Sequence, residues 1–129
     1  MAEAVLGLTI DTGALIGIER GQNRVLAVLE LARRRGHELH VVPGVLAQAW
    51  RGGPRQARLA QFLASPEVMV PEFDETTARL VGELCGLSGH HDIVDVHVVL
   101  HARLHGHRVV TSDPDDLRRV DPRLPVVLI

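Results

Sequence analysis

Short apolar runs alternate with longer stretches of helical period along the whole of this chain, and that alternation restricts the fold more than any single motif does. The run Val5–Ile10 has strand length and ends abruptly at Asp11. Two helical stretches follow, Thr12–Arg20 and Gln22–Arg35, with Gly21 and Gly36 as breakers. Glu38–Val42 makes a second short strand, and Pro43 suits the first turn of a helix reaching about Arg51, closed by Gly52 and Gly53. Pro54 opens another helix in which Leu59, Phe62 and Leu63 share one face. A third strand, Glu67–Val70, precedes a helix capped by Asp74 and running to Leu87. Beyond the loop Ser88-Gly89-His90-His91 a helix spans Asp92 to His105, then come a strand at Arg108–Val110, a short helix at Pro114–Val120 and a final strand at Pro125–Leu128. Strands separated by helices imply a parallel sheet covered on both faces and wound by right-handed crossovers. The expected class is α/β, a three-layer α/β/α sandwich with a central parallel sheet of four to five strands. With 129 residues and no linker, repeat or low-complexity segment, residues 1–129 are expected to form a single domain.

Composition removes several functions. Trp50, Phe62 and Phe73 are the whole aromatic complement, which argues against an RNA-binding module that stacks bases on exposed rings and requires an aliphatic core. A net charge of −2 excludes a uniformly basic nucleic-acid glove. Every one of the fourteen basic residues is Arg. Without Lys there is no Walker A loop, no Schiff-base nucleophile and no receiver-domain pocket, each of which needs one. Cys85 stands alone, which leaves neither an internal disulfide nor a Cys-based zinc site of the usual form. The first residues lack a signal-peptide pattern, and no apolar run approaches the roughly 20 residues of a membrane span. A cytoplasmic protein is expected.

The acidic residues fall where such a fold concentrates chemistry. Ligands of open α/β sheets bind beyond the carboxyl ends of the strands. Asp11 ends one apolar strand, Asp113 follows another by a few residues, and Asp92 and Asp95 open a helix. Capping explains several of them: Asp92 as an N-cap with Asp95 supporting the helix dipole, and Asp113-Pro114-Asp115-Asp116 as a cap, a proline and a first turn of acids. Asp11 resists that explanation, because a charge at the end of a wholly apolar strand is costly unless paired or coordinated. Carboxylates gathered at one sheet edge repel one another unless something cationic lies between them, and a divalent metal is the simplest candidate.

The segments Thr9-Ile10-Asp11-Thr12-Gly13-Ala14-Leu15-Ile16, Asp92-Ile93-Val94-Asp95-Val96-His97-Val98-Val99 and Val109-Val110-Thr111-Ser112-Asp113-Pro114-Asp115-Asp116-Leu117 together resemble the acidic motifs of PIN domains. Their order and spacing are similar to those of the small VapC-like ribonuclease toxins, and the resemblance covers nearly the whole chain. It implies cleavage of RNA phosphodiesters dependent on Mg²⁺ or Mn²⁺, a homodimer, and inhibition by a small cognate antitoxin. Carried onto this sequence, it gives Asp11 and Asp95 direct contact with metal, Asp113 a direct or water-mediated one, and Asp92 a supporting place in the metal site. Thr12 and Ser112 would orient a carboxylate or a water, and Asp116 is a reserve acid whose other use is capping. One departure stands out. PIN domains commonly carry a Glu in the helix after the second strand, and Gln48 occupies that position here. An amide oxygen can meet a metal but brings no charge, so a PIN-fold interaction module with weak or no nuclease activity is the alternative.

Arg51, Arg55 and Arg58, next to the Gln48 helix, are the candidate contacts for RNA phosphates. Arg33-Arg34-Arg35 ends a helix, where cations suit the dipole. His97, His101 and His105 recur every four residues. Two such residues can chelate zinc, but no HExxH-type general base accompanies them, so they read as a partly buried or subunit-facing stripe.

Overall fold

The computed structural model describes residues 6–129, which leaves Val5, the first residue of the expected opening strand, outside the described residues. Five strands, β1 (Gly7–Ile10), β2 (Glu38–His40), β3 (Val68–Met69), β4 (Arg108–Thr111) and β5 (Val126–Leu128), form one sheet. Its order is β3-β2-β1-β4-β5 and every pairing is parallel. Seven α-helices flank it: α1 (Thr12–Glu19), α2 (Asn23–Arg34), α3 (Pro43–Ala49), α4 (Ala57–Leu63), α5 (Glu75–Ser88), α6 (Ile93–His105) and α7 (Pro114–Val120). The result is the expected α/β/α sandwich. Among the described residues no helix is long and apolar enough to cross a membrane.

Strand pleating assigns the two faces. Leu8, Ile10 and Val110 face one side, with Leu15, Ile18, Val25 and Leu59 of α1, α2 and α4, whereas Thr9 and Val109, paired in register, face the other, where Val96, Val99 and Ala102 bring α6 onto the sheet. α6 packs on β1 and β4, flanked by α5 and α7, and α1 packs on α2, α3 and α4. The core is aliphatic, with Phe62 as its one fully covered aromatic among the described residues. Leu59 and Phe62 are core residues, as their spacing implies.

Two local departures from expectation have clear causes. The helix expected to open at Pro54 begins with a 3₁₀ turn, Pro54–Gln56, before α4. Gln56 is buried there, its amide oxygen accepting from the backbone N–H groups of Arg51 at 2.7 Å and Gly52 at 2.8 Å while its nitrogen donates to Ala49 O at 2.8 Å. The second strand stops at His40 instead of Val42, because Pro43 fixes the next residues as the entry to α3.

Candidate active site

Strand order reverses its direction of growth between β1 and β4, and this reversal places the crevice. Asp11 leaves the end of β1 and Asp113 follows the end of β4, so both arrive at the carboxyl edge on either side of the switch. α6 runs back down the sheet, which sets its first turn, with Asp92 and Asp95, at the same edge. The three segments line one cleft of about 240 Å³ together with Thr12, Gln48, Ser112 and Asp116. Five aspartates and one amide therefore meet there, and among the described residues no Arg lines it.

Three of the five acids cap a helix. Asp11 caps α1, accepting from Ala14 N at 2.9 Å, and Asp92 caps α6, accepting from Val94 N at 3.0 Å and Asp95 N at 3.1 Å. Asp113 caps α7 through Asp115 N at 3.4 Å. Capping and clustering are thus compatible uses of the same carboxylates. Partial burial pushes the Asp11 carboxyl up, against the pull of the Thr111 hydroxyl and the Ala14 N–H, and the charges of Asp95 and Asp113 push it further. Burial likewise raises Asp95, opposed by His90 and reinforced by Asp92 and Asp116. These two are the acids for which ionisation is dearest without a counter-charge.

Gln48 reaches the cleft because α3 lies close against α6. A Cβ on Gly44 would fall 2.8 Å from Val94 Cγ2, so only glycine permits that approach. One turn later the Gln48 side-chain oxygen accepts a hydrogen bond from the Thr12 hydroxyl. Thr111, inside the third motif, and His90, in the loop before the second, contact the acids although the sequence alone gives neither of them a role. The Thr111 hydroxyl accepts from Asp113 N at 3.0 Å and supports Asp11, joining the two strand-end acids. Polar residues that end buried strands, like Thr111, are the signal that could have found it.

The expected arginine rim is not at the cleft. None of Arg51, Arg55 and Arg58 lines it. The left-handed Gly52 and Gly53 turn the chain away, and the Arg51 guanidinium donates to Ala47 O and Trp50 O at the end of α3. Arg58 sits on the other face with Ile18, Leu29 and Phe62. The cation that does come near is Arg119, 3.6 Å from Asp116. Arg33 and Arg34 pair with Glu67 and Glu30, consistent with a solvated helix end.

The sequence matches the PIN domain over residues 8–122. The chain belongs to the PIN domain family. No curated protein matches it in sequence. Among solved structures it is similar to a chain of VapBC2 from Rickettsia felis bound to a DNA fragment from their promoter, with a TM-score of 0.72 at 18% identity, covering 96% of this chain and 99% of that one. FitAB bound to the IR36 DNA fragment gives 0.63 at 18% identity, with 94% of each chain covered. FitAcB from Neisseria gonorrhoeae gives 0.60 at 17%, covering 95% of this chain and 96% of that one. At these identities the likeness is one of fold.

PIN domains are typically metal-dependent nucleases, and the donor set fits a hard cation. Its ligands would be oxygens only, as Mg²⁺ and Mn²⁺ prefer. No three of these carboxylates bring oxygens within 4.8 Å of one another. A cradle set that wide suits a cation that keeps several of its waters, as Mg²⁺ does.

Proposed function

We propose that this PIN domain is an Mg²⁺- or Mn²⁺-dependent endoribonuclease, the toxin of a cytoplasmic toxin–antitoxin pair. The observation that carries the proposal is the convergence of five aspartates in a cleft lined by no Arg among the described residues, at the switch point of a PIN fold. Asp11, Asp95 and Asp113 would hold the metal, with Asp92 beside them and Asp116 in reserve. A divalent cation bound there would lower the pKa of an attacking water and offset the charge that builds on the phosphate.

The side chains prepare the cleft for this work. Ala14 N–H and the Thr111 hydroxyl fix one side of the Asp11 carboxylate, and His90 fixes Asp95, so the remaining oxygens are aimed without further ordering. Thr12 orients Gln48, and Ser112, exposed at the rim beside Gly13, is placed to orient a water or a phosphate oxygen. Five acids repel RNA until a cation offsets them, which makes metal a condition of substrate entry as well as of chemistry. Arg118 and Arg119, in the last turn of α7, supply positive charge at the margin.

Partner binding is the second half of the proposal. VapBC2 and FitAB were both captured with DNA, and the first of these fragments is from their promoter. A protein partner that masks the cleft and carries this chain to DNA follows by analogy. Large apolar side chains are exposed on α5 and at the start of α6, among them Leu80, Leu87 and Ile93, and they offer surface for that partner or for a homodimer.

One observation favours the alternative of a weakly active interaction module. The oxygen of Gln48 is neutral and already engaged by Thr12, so it adds little grip on a metal. Mn²⁺ titration by calorimetry with RNA present separates the two, since the module would show no binding. The proposal itself is tested by Mn²⁺-dependent cleavage of structured RNA: wild type should cleave and Asp11→Asn should not, and equal activity would refute the assignment.

A further inference from the structure

Five of the eight histidines gather in the α6 layer, away from the acids. β1 lies between β2 and β4, and across this part of the sheet His40 ends β2 while His107 immediately precedes β4. α6 lays His101 over them. His40, His101 and His107 are only 3%, 6% and 3% exposed. Among the described residues they form the one trio of His, Cys or carboxylate side chains whose ligand atoms all lie within 4.8 Å of one another.

Their outer contacts are those of oriented ligands. His40 Nε2 lies 2.8 Å from Glu38 Oε2, an acceptor, so Nε2 carries the proton and the lone pair of Nδ1 faces His101 Nε2 at 2.7 Å. A carboxylate on the far nitrogen fixes the tautomer and raises ligand basicity. His107 Nδ1 is anchored at 3.0 Å by the Thr9 hydroxyl. The backbone makes room for this ring, since a Cβ on Gly7 would fall 2.5 Å from His107 Nε2. His105 is exposed and stacks on His101 with ring centres 4.1 Å apart. Its Nδ1 donates to His101 O at 2.9 Å, which leaves Nε2 free on the solvent side.

We propose that His40, His101 and His107 bind a divalent cation of the zinc class, with His105 or a water as the fourth ligand. Imidazoles suit Zn²⁺, Co²⁺ and Ni²⁺, whereas the carboxylate cleft suits Mg²⁺ and Mn²⁺, so the two sites differ in the metal they select. Nitrogens about 2.0–2.1 Å from zinc stand roughly 3.3 Å apart in a tetrahedron. The His40–His101 pair, 2.7 Å apart, opens slightly to reach that spacing, and His107 offers a ligand atom within 4.8 Å of both. Without metal the His101 Nε2–H donates to His40 Nδ1, so metal entry requires the neutral His101 ring to carry its proton on Nδ1 instead. The bound ion would tie β2 and the start of β4 to α6, the helix that also carries Asp95, and would brace the fold without entering the reaction. This holds whether or not the acid cleft is a nuclease.

The test uses the full chain with the acid cleft silenced by Asp11→Asn and Asp95→Asn. Titrated with Co²⁺, this protein should take up one equivalent with the visible absorption bands of tetrahedral cobalt. Zn²⁺ should displace it, Mg²⁺ should not, and Zn²⁺ should raise the Tm. Adding His101→Gln should abolish both the bands and the Tm rise. Should that variant not fold, Glu38→Gln keeps every ligand and should weaken binding about tenfold or more. Absence of Co²⁺ and Zn²⁺ binding in the silenced protein would overturn the proposal, and so would binding that neither His101→Gln nor Glu38→Gln alters.

Discussion

His90 Nε2 lies 3.0 Å from Asp95 Oδ2, so the loop before α6 supplies the partner for an acid in that helix's first turn. Burial raises the Asp95 carboxyl and this contact lowers it, so His90 offsets part of the rise that burial imposes. In His90→Ala the Asp95 carboxyl moves further up. Less of it is charged at any given pH, and the acid limb of the cleavage profile shifts to higher pH with recovery in alkaline buffer. A uniform loss at all pH values would instead make His90 a substrate contact.

Asp11→Asn should trade function for stability. The folded-state pKa of Asp11 is raised, so its contribution to stability is fully present below the unfolded value near 3.8 and is lost as pH rises through the folded value. The amide avoids that loss and keeps an oxygen to accept from Ala14 N. In metal-free buffer the variant should melt higher than wild type at pH 7 and no higher at pH 3, while Mn²⁺-dependent cleavage falls by about a hundredfold or more. A lower Tm at pH 7 would contradict the like-charge picture of the cleft.

Gln48→Glu restores the charge that PIN domains commonly place on this helix. Thr12 can donate to the carboxylate as it does to the amide. Mn²⁺ affinity measured by calorimetry should rise about tenfold, equivalent to roughly 1.4 kcal/mol. The metal-free protein should lose stability, since a sixth acid joins five. Unchanged affinity would mean that α3 lies too far from the metal to matter.

Gly44→Ala probes the packing that brings α3 to the cleft. Helix propensity favours Ala by up to about 1 kcal/mol, but the new Cβ would sit 2.8 Å from Val94 Cγ2. Valine is stiff at χ1, so the helices must part, at a cost of about 1–3 kcal/mol. A Tm below wild type that Val94→Ala restores in the double variant would confirm the contact. A Tm above wild type would show that α3 yields freely.

Local chemistry makes much of this molecule legible in its sequence. Pro114 at the first position and Asp113 as cap define α7 as observed, and Asp92 both caps α6 and lines the cleft. Sequence pattern locates the acids because strand ends and helix starts converge in any parallel α/β sheet. What depends on distant register stays hidden from it. His40 and His107 meet His101 only because β1 separates their strands and α6 crosses above, so the sequence shows a stripe where the fold makes a cluster. The arginines mislead for a similar reason. Their nearness in sequence to Gln48 does not survive two left-handed glycines.

The metal assignment is tested most directly by diffraction from crystals soaked in Mn²⁺, recorded where manganese scatters anomalously. A peak coordinated by Asp11 and Asp95, with Asp113 bound directly or through a water, is the expected result. A cleft without manganese at saturating concentration, or manganese held only by surface acids elsewhere, would contradict it.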